Sequence, residues 1–459
     1  MTEHPRGMSL GMNILGLGGH AAAAHLHEVP PTATTDVDYF VHIAKISERG
    51  ALDGIFLADG PAYQGGLAGG GKLDPIVLLT AVAAATERIG VIATASTSYN
   101  HPYNLARRIA SLDHVSRGRA GWNAVTTAGD AAARNFGQDG AAFHSDRYRR
   151  ADEFIDVVTK AWGSWSPEAT RLGPDGLIHR DPDAVQPIGH AGEFFSVEGA
   201  GTLPRTPQGR PVIVQSGASE GGKNLGARWA DAIFTAQTTL EDGIAFARDI
   251  RARAAAFGRN PDHLRILPGL STVIGSTEAE ARRRWDELDS HLSFDQEYAQ
   301  ISGRLGIDAR ELDLDAPLPW EKFPEPDDSF RSSHGFLEAQ LSLARRENLT
   351  PRQLVKRIRS GHRLAVGTPE QIADTLEVWF RAGAGDGFNI MPDAFPSGAE
   401  IFVDHVVPEL RRRGVFRHEY QGTTLRDHLG LPHHDLHPAG HPPARSTLLA
   451  SSVPTSVRA

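Results

Sequence analysis

The sequence predicts a TIM-type (β/α)8 barrel with insertions after strands 4 and 7. Three observations predict it. Eight short apolar runs alternate with longer helix-patterned stretches along the chain. Most of the runs are rich in Ile, Val, Leu and Thr and bounded by Gly or Pro, as strands buried on both faces of a parallel sheet must be. The chain of 459 residues, 40% hydrophobic and 22% charged, is long and apolar enough to bury a large core. The same alternation permits a doubly wound open sheet as the second choice.

The elements follow in order. Strands are expected at 9–17 (SLGMNILGL), 54–59 (GIFLAD), 89–97 (IGVIATAST) and 119–127 (RAGWNAVTT), then at 211–216 (PVIVQS), 232–237 (AIFTAQ), 265–274 (RILPGLSTVI) and 387–391 (GFNIM). Residues 100–117 are the clearest helix. Asn100 can cap it, Pro102 sits in the first turn, and Leu105, Ile109, Leu112 and Val115 form an apolar stripe. Residues 368–382 open with Thr-Pro-Glu and repeat apolar side chains at Ile372, Leu376 and Trp379.

Three stretches are too long for barrel loops. Residues 61–72 are Gly-rich and read as a surface loop. Residues 164–210 are an excursion after the fourth helix. Residues 295–363 have a Pro-rich centre (DAPLPWEKFPEPDDS) carrying Leu318, Trp320, Phe323 and Phe330. That bulk, on a segment leaving after strand 7, is expected to form a lid over the barrel mouth; a subunit contact would use it equally well. Residues 1–432 are thus expected to be one barrel domain, with 433–459 a flexible His-rich tail.

Composition narrows the function. With no Cys, the chain offers no disulfide, thiolate nucleophile or Cys-ligated cluster. Its net charge of −9 is unclustered and suits neither nucleic acid nor an anionic membrane. No apolar run is long enough to span a bilayer, and the N-terminus lacks a signal-peptide layout, so a cytoplasmic protein is expected. No G-x-G-x-x-G follows a strand, so the chain is not expected to bind NAD(P)H itself.

Barrel chemistry sits at the C-terminal ends of the strands. Those ends carry Asp59 after strand 2, Ser96, Thr97, Ser98 and His101 after strand 3, and Asn123 on strand 4. His144 and Tyr148 follow, one helical turn apart. Strand 5 ends Ser216-Gly217-Ala218-Ser219 and runs into a helix with Gly221-Gly222 in its first turn. Backbone N–H groups and hydroxyls at such a helix start can hold a phosphate, although a simple cap has the same sequence. Thr97 and Ser98 point to opposite strand faces, and Thr97 is taken as the inward one, with Ser96 contributing backbone. The set holds few carboxylates and no nucleophile–base pair. It suits a polar planar cofactor that brings its own chemistry.

The block IATASTSYNHPYNLARRIASLDHVSRGRAGWNAVTT, with HSDRYRRADEF, PVIVQSGASEGG and VGTPEQIADTLEVWFRAGAGDGFNIMP, resembles the bacterial-luciferase-like FMNH2-dependent monooxygenases. The similarity is to the branch of nitrilotriacetate monooxygenase component A and dibenzothiophene-sulfone monooxygenase, and runs in order from Ser9 to Leu431. It implies a barrel that takes reduced FMN (FMNH2) from a separate NAD(P)H:FMN reductase. O2 then adds at the flavin C4a, and the resulting (hydro)peroxide oxidises a small organic substrate. It also implies a homodimer or homotetramer and no metal. By the same resemblance Asp59, Ser96, Thr97 and Asn123 lie near the flavin ring. His144 and Tyr148 contact the flavin, Tyr148 on the phosphate side, and Ser216, Gly217, Ala218 and Ser219 form the phosphate loop. His144 is the candidate catalytic residue, polarising or protonating the peroxide, because imidazole titrates near neutral pH. One departure concerns substrate: where relatives carry an Ala-Trp-Arg-His-like stretch after strand 1, this chain has His20-Ala-Ala-Ala-Ala-His25-Leu26-His27.

Two rival readings stay open. A flavin-binding barrel without catalysis would share the mouth. A metal-dependent amidohydrolase-like barrel would use His25 and His27 with Asp393 after strand 8. It would also need His at the ends of strands 5 and 6, where this chain has Ser216-Gly217 and Ala236-Gln237.

Overall fold

The computed structural model describes residues 7–63, 72–172, 174, 177–293, 298–299, 301–302, 305, 307–323, 334–357 and 361–433. Eight parallel strands form a ring: β1 (Ser9–Ile14), β2 (Gly54–Leu57), β3 (Gly90–Ser96), β4 (Ala120–Val125), β5 (Val212–Ser216), β6 (Ala232–Thr235), β7 (Arg265–Ile274) and β8 (Gly387–Pro392). Each pairs with its sequence neighbours, and β1 pairs β8 to close the barrel, with Ser9 opposite Gly387 and Met12 opposite Ile390. All eight predicted strands are present. Most end one to three residues inside the predicted bounds, the seventh matches them, and the eighth runs one residue further, to Pro392.

The helices that follow are α1 (Val37–Arg49), α2 (Pro75–Ala84), α3 (Pro102–Val115), α4 (His144–Gly163), α5 (Glu220–Trp229), α6 (Leu240–Ala256), α7 (Glu278–Ser290) and α8 (Pro369–Arg381). Asn100 does not cap α3. His101 occupies that place without a side-chain bond, and the Asn100 amide instead donates to the Ser96 carbonyl at 2.9 Å. Val115, at the end of the expected stripe, is exposed. Thr368 does cap α8, in a reciprocal capping box with Gln371.

Two apolar layers hold the barrel. Outside, strand residues such as Leu10, Ile55, Val91 and Trp122 pack on the helices. Inside, Phe56, Ile92, Val212, Val214, Ala232, Phe234, Leu267 and Met391 fill the ring. Strand alternation separates these sets. Leu425, Leu429 and Leu431 join the inner set from below, where the Leu425 side chain closes on Gly90 and Gly121. The C-terminal segment thereby plugs the N-terminal end of the barrel. It is tied there by Arg426, fully buried and 2.8 Å from Asp231.

The first excursion carries two short antiparallel pairs, Thr170–Leu172 with Ile178–Arg180 and His190–Ala191 with Ser196–Val197. The second leaves from the end of α7. There Asp289 lies 3.1 Å from His20, and His25 stacks on His291 at 4.6 Å. It returns through His362 into a strand that was not anticipated, Arg363–Gly367, which pairs with Leu270–Ile274 of β7 beyond the end of β6. Its helix His334–Glu347 reaches the first turn of α6, where Arg346 bonds Asp242 at 2.5 Å.

This excursion has its own apolar core of Ile301, Leu305, Leu312, Leu314, Leu318, Leu337, Leu343 and neighbours, with Trp320 and Phe323 against it. The bulk assigned to a lid therefore packs within the insertion. Phe330 lies outside the described residues, as do His434, His437 and His441 of the tail. Among the described residues no helix is long and apolar enough to cross a membrane.

Candidate active site

The segment from β5 into α5 builds the densest polar cluster at the mouth. Ser219 caps α5, its hydroxyl oxygen accepting the Gly222 N–H at 3.3 Å. The same hydroxyl donates to the Tyr148 oxygen at 3.4 Å and lies 3.2 Å from His144 Nε2. His144 and Tyr148 stand one turn apart on α4, with ring centroids 4.6 Å apart. Tyr148 can lie against α5 because Gly221 and Gly222 have no side chains. A Cβ at Gly221 would come 2.9 Å from the tyrosine ring, and one at Gly222 3.2 Å from its hydroxyl. The nearby Glu220 carboxyl is held below its usual range by Lys223 and Arg253, so it stays ionised, with its charge paired to both cations. Two hydroxyls, an imidazole and the N–H groups of a helix start thus converge where a phosphate dianion would fit.

A second set of hydrogen bonds, starting at Ser216 three residues before Ser219, lies toward the barrel axis. The Ser216 hydroxyl donates to Asn123 Oδ1 at 3.0 Å, and the Asn123 amide donates to Thr94 Oγ1 at 2.9 Å. Next to it the Thr127 hydroxyl donates to Ser96 Oγ at 2.7 Å. All of these groups are neutral. Asp59 stands apart at the rim of β2. It is exposed at the surface, yet desolvation by the surrounding protein raises its carboxyl above the usual range, against a bond from the Gly60 N–H.

Polar groups of this kind, ending at a helix start, offer neutral donors and acceptors beside backbone N–H groups. The sequence profile of luciferase-like monooxygenases matches residues 18–386. The chain belongs to the luciferase-like monooxygenase family. It is similar to nitrilotriacetate monooxygenase component A of Aminobacter aminovorans, with 45% identity over 449 residues, 92% of this chain and 96% of that protein. Among solved structures it resembles EDTA monooxygenase from Chelativorans sp. BNC1, with a TM-score of 0.77 and 38% identity over 93% of this chain and 99% of that one. A riboflavin lyase solved with modified FMN and riboflavin superposes with a TM-score of 0.78 and 32% identity, covering 92% and 96%.

In this luciferase-like monooxygenase the structure brings most of the sequence-predicted residues together. Ser216, Gly217, Ser219, Tyr148 and His144 share one end, with Ala218 turned to the packing of β6 and α6. Asn123 and Ser96 share the axis side. One expectation changes. The inward residue of β3 is Ser96, in step with Ile92 and Thr94; Thr97 is fully buried and its hydroxyl donates to the Val125 carbonyl at 3.1 Å. His144 stands beside Ser219 and Tyr148 at the start of α5, apart from the axis-side groups. Thr94 joins these groups without having been anticipated, though period-two alternation from Ser96 would have found it, while Thr127 is the residue with which the predicted fourth strand ends.

On the opposite rim Asp393, after β8, is buried and ion-paired with Arg284. Of the histidines that an amidohydrolase reading would recruit, His25 stacks on His291. Among the described residues no three His, Asp or Glu side chains converge as a metal site.

Proposed function

We propose that this family member is the oxygenase component of a two-component system. It takes FMNH2 from a separate NAD(P)H:FMN reductase and uses O2 to oxidise a small organic substrate, as a cytoplasmic homodimer or homotetramer. The observation that supports the reading best is that His144, Tyr148 and Ser219 gather at the start of α5 while Ser216 bonds Asn123, and Thr127 bonds Ser96, on the axis side of the same mouth. It matches a molecule with a phosphate at one end and a polar ring system at the other. Bound FMNH2 supplies the two electrons that let one oxygen atom of O2 enter the substrate while the other leaves as water.

The chain's own residues bind, orient and shield. Tyr148, Ser219, His144 and the first turn of α5 hold the phosphate. Asn123, with Ser96 and Thr94 behind it, fixes the ring edge through neutral hydrogen bonds. The insertion over 295–363 limits water at the mouth, which matters because water diverts reduced flavin and O2 to H2O2.

The test is a substrate panel in which a generic reductase supplies FMNH2. It would include nitrilotriacetate and dibenzothiophene sulfone, named for relatives, with products scored by mass. At least one oxygenated product that requires both chain and reductase is expected. NADH consumption by the pure chain with FMN, or H2O2 as sole product across a broad panel, would contradict the proposal.

A further inference from the structure

The mouth holds a histidine that the phosphate strip does not use. His362 ends the second insertion and immediately precedes the strand Arg363–Gly367. It is 4% exposed, and its ring stacks on Phe234 of β6 at 4.9 Å and 20°. Phe234 in turn meets Phe56 of β2 at 5.4 Å. Both phenylalanines belong to the set that fills the inside of the ring. Since β2 and β6 lie four strands apart in a ring of eight, that pair spans the barrel and forms a floor. The imidazole also lies on Gly269 of β7, where any side chain would collide with it. A glycine at this one position of an otherwise bulky strand keeps the space for the ring.

The placement has a consequence for substrate. Asp59, Ser96 and Asn123 stand on β2, β3 and β4 or their ends. His362 stands over β6 and β7, directly across the ring. We propose that His362 is a substrate-contacting, specificity-determining residue: its imidazole hydrogen-bonds a polar oxygen of the substrate, which lies above the Phe56–Phe234 floor between His362 and the flavin. This rests on the functional reading above, in which the β2–β4 side receives the flavin. The insertion then contributes to recognition directly, by placing one ring inside the barrel, and not only by covering it.

The test uses the full chain labelled at histidine Cε1 with 13C, observed by NMR without oxygen, with FMNH2 as the probe. The His362 signal is identified by its loss in His362→Phe, a variant that keeps an aromatic ring against Phe234. Saturation with FMNH2 is expected to shift the His362 signal. His362→Phe should bind FMNH2 within about twofold of wild type, yet give roughly tenfold less oxygenated product per FMNH2, the worth of one lost hydrogen bond. Gly269→Ala, which displaces the imidazole without changing its chemistry, should lower product yield in the same direction. A His362 signal unmoved at FMNH2 saturation, or product yield unchanged in His362→Phe, overturns the role of His362 alone. A wild-type chain that takes up no FMNH2 overturns this role and the functional reading together.

Discussion

Ser219 places one hydroxyl within reach of the Gly222 N–H, the Tyr148 hydroxyl and the His144 ring. A phosphate arriving there would meet donors already gathered, so the loss of one should be felt by the phosphate alone. Ser219→Ala is expected to weaken FMNH2 binding roughly tenfold, for one charge-assisted hydrogen bond of about 1.5–3 kcal/mol. Reduced riboflavin, which has no phosphate, should bind nearly as before. Equal losses for the two ligands, in anaerobic titrations, would move the phosphate elsewhere. Gly221→Ala tests the same cradle from the other side, since the new methyl would press on Tyr148. It should weaken FMNH2 at least as much as Ser219→Ala while leaving the thermal midpoint nearly unchanged; equal affinity would show that Tyr148 need not sit there.

The residue types of this site were legible in the sequence, but their directions were not. Ser96 and Thr97 are adjacent, and a one-residue difference in strand register exchanges the inward and outward faces. Which of them faced the axis was decided by the packing of Ile92 against other strands, a fact that no local pattern carries. His362 shows the same limit more sharply. Its role depends on Phe234 and Gly269, both far away in sequence.

At the scale of elements, the eight strands were readable because apolar runs bounded by Gly and Pro have few alternatives in a chain of this kind. Arg363–Gly367 escaped because it is short, mixed in polarity and paired along the overhanging end of β7, far away in sequence. Other joints depend on buried polar groups. Asp113 of α3 accepts the Ala120 N–H at the start of β4 at 3.0 Å and the Gln208 amide at 2.6 Å. Burial pushes its carboxyl up to about 6 from an ordinary value of 3.8. The folded chain therefore holds this proton more tightly than the unfolded chain. The resulting stability is full below the unfolded pKa and is lost as pH rises through the folded one. Asp113→Asn, which does not titrate, should gain on wild type by roughly 3 kcal/mol between about pH 4 and about pH 7, in urea melts. A stability difference that stays flat with pH would show that Asp113 is ionised throughout.

Across the whole molecule, two apolar cores divide the work. The barrel core sets the mouth, and the second insertion has a separate core of its own. The length and position of that insertion were visible in the sequence. That Leu312, Leu314 and Leu318 pack among themselves was not, because their partners come from helices later in the same insertion. Leu318→Ala combined with Leu343→Ala should cost about 2–5 kcal/mol per site within the insertion and spare the barrel. FMNH2 binding should persist, while H2O2 release rises at the expense of product. An unchanged ratio of product to H2O2 would show that the insertion does not shield the mouth.

The central claim is that this mouth receives reduced FMN as a diffusing co-substrate. It is tested most directly by anaerobic titration of the isolated wild-type chain with FMNH2 and, separately, with oxidised FMN. The account predicts saturable binding of FMNH2 that is at least about tenfold tighter than that of FMN, and a protein nearly colourless as purified. Oxidised FMN that survives dialysis, or equal affinity for the two forms, would contradict it.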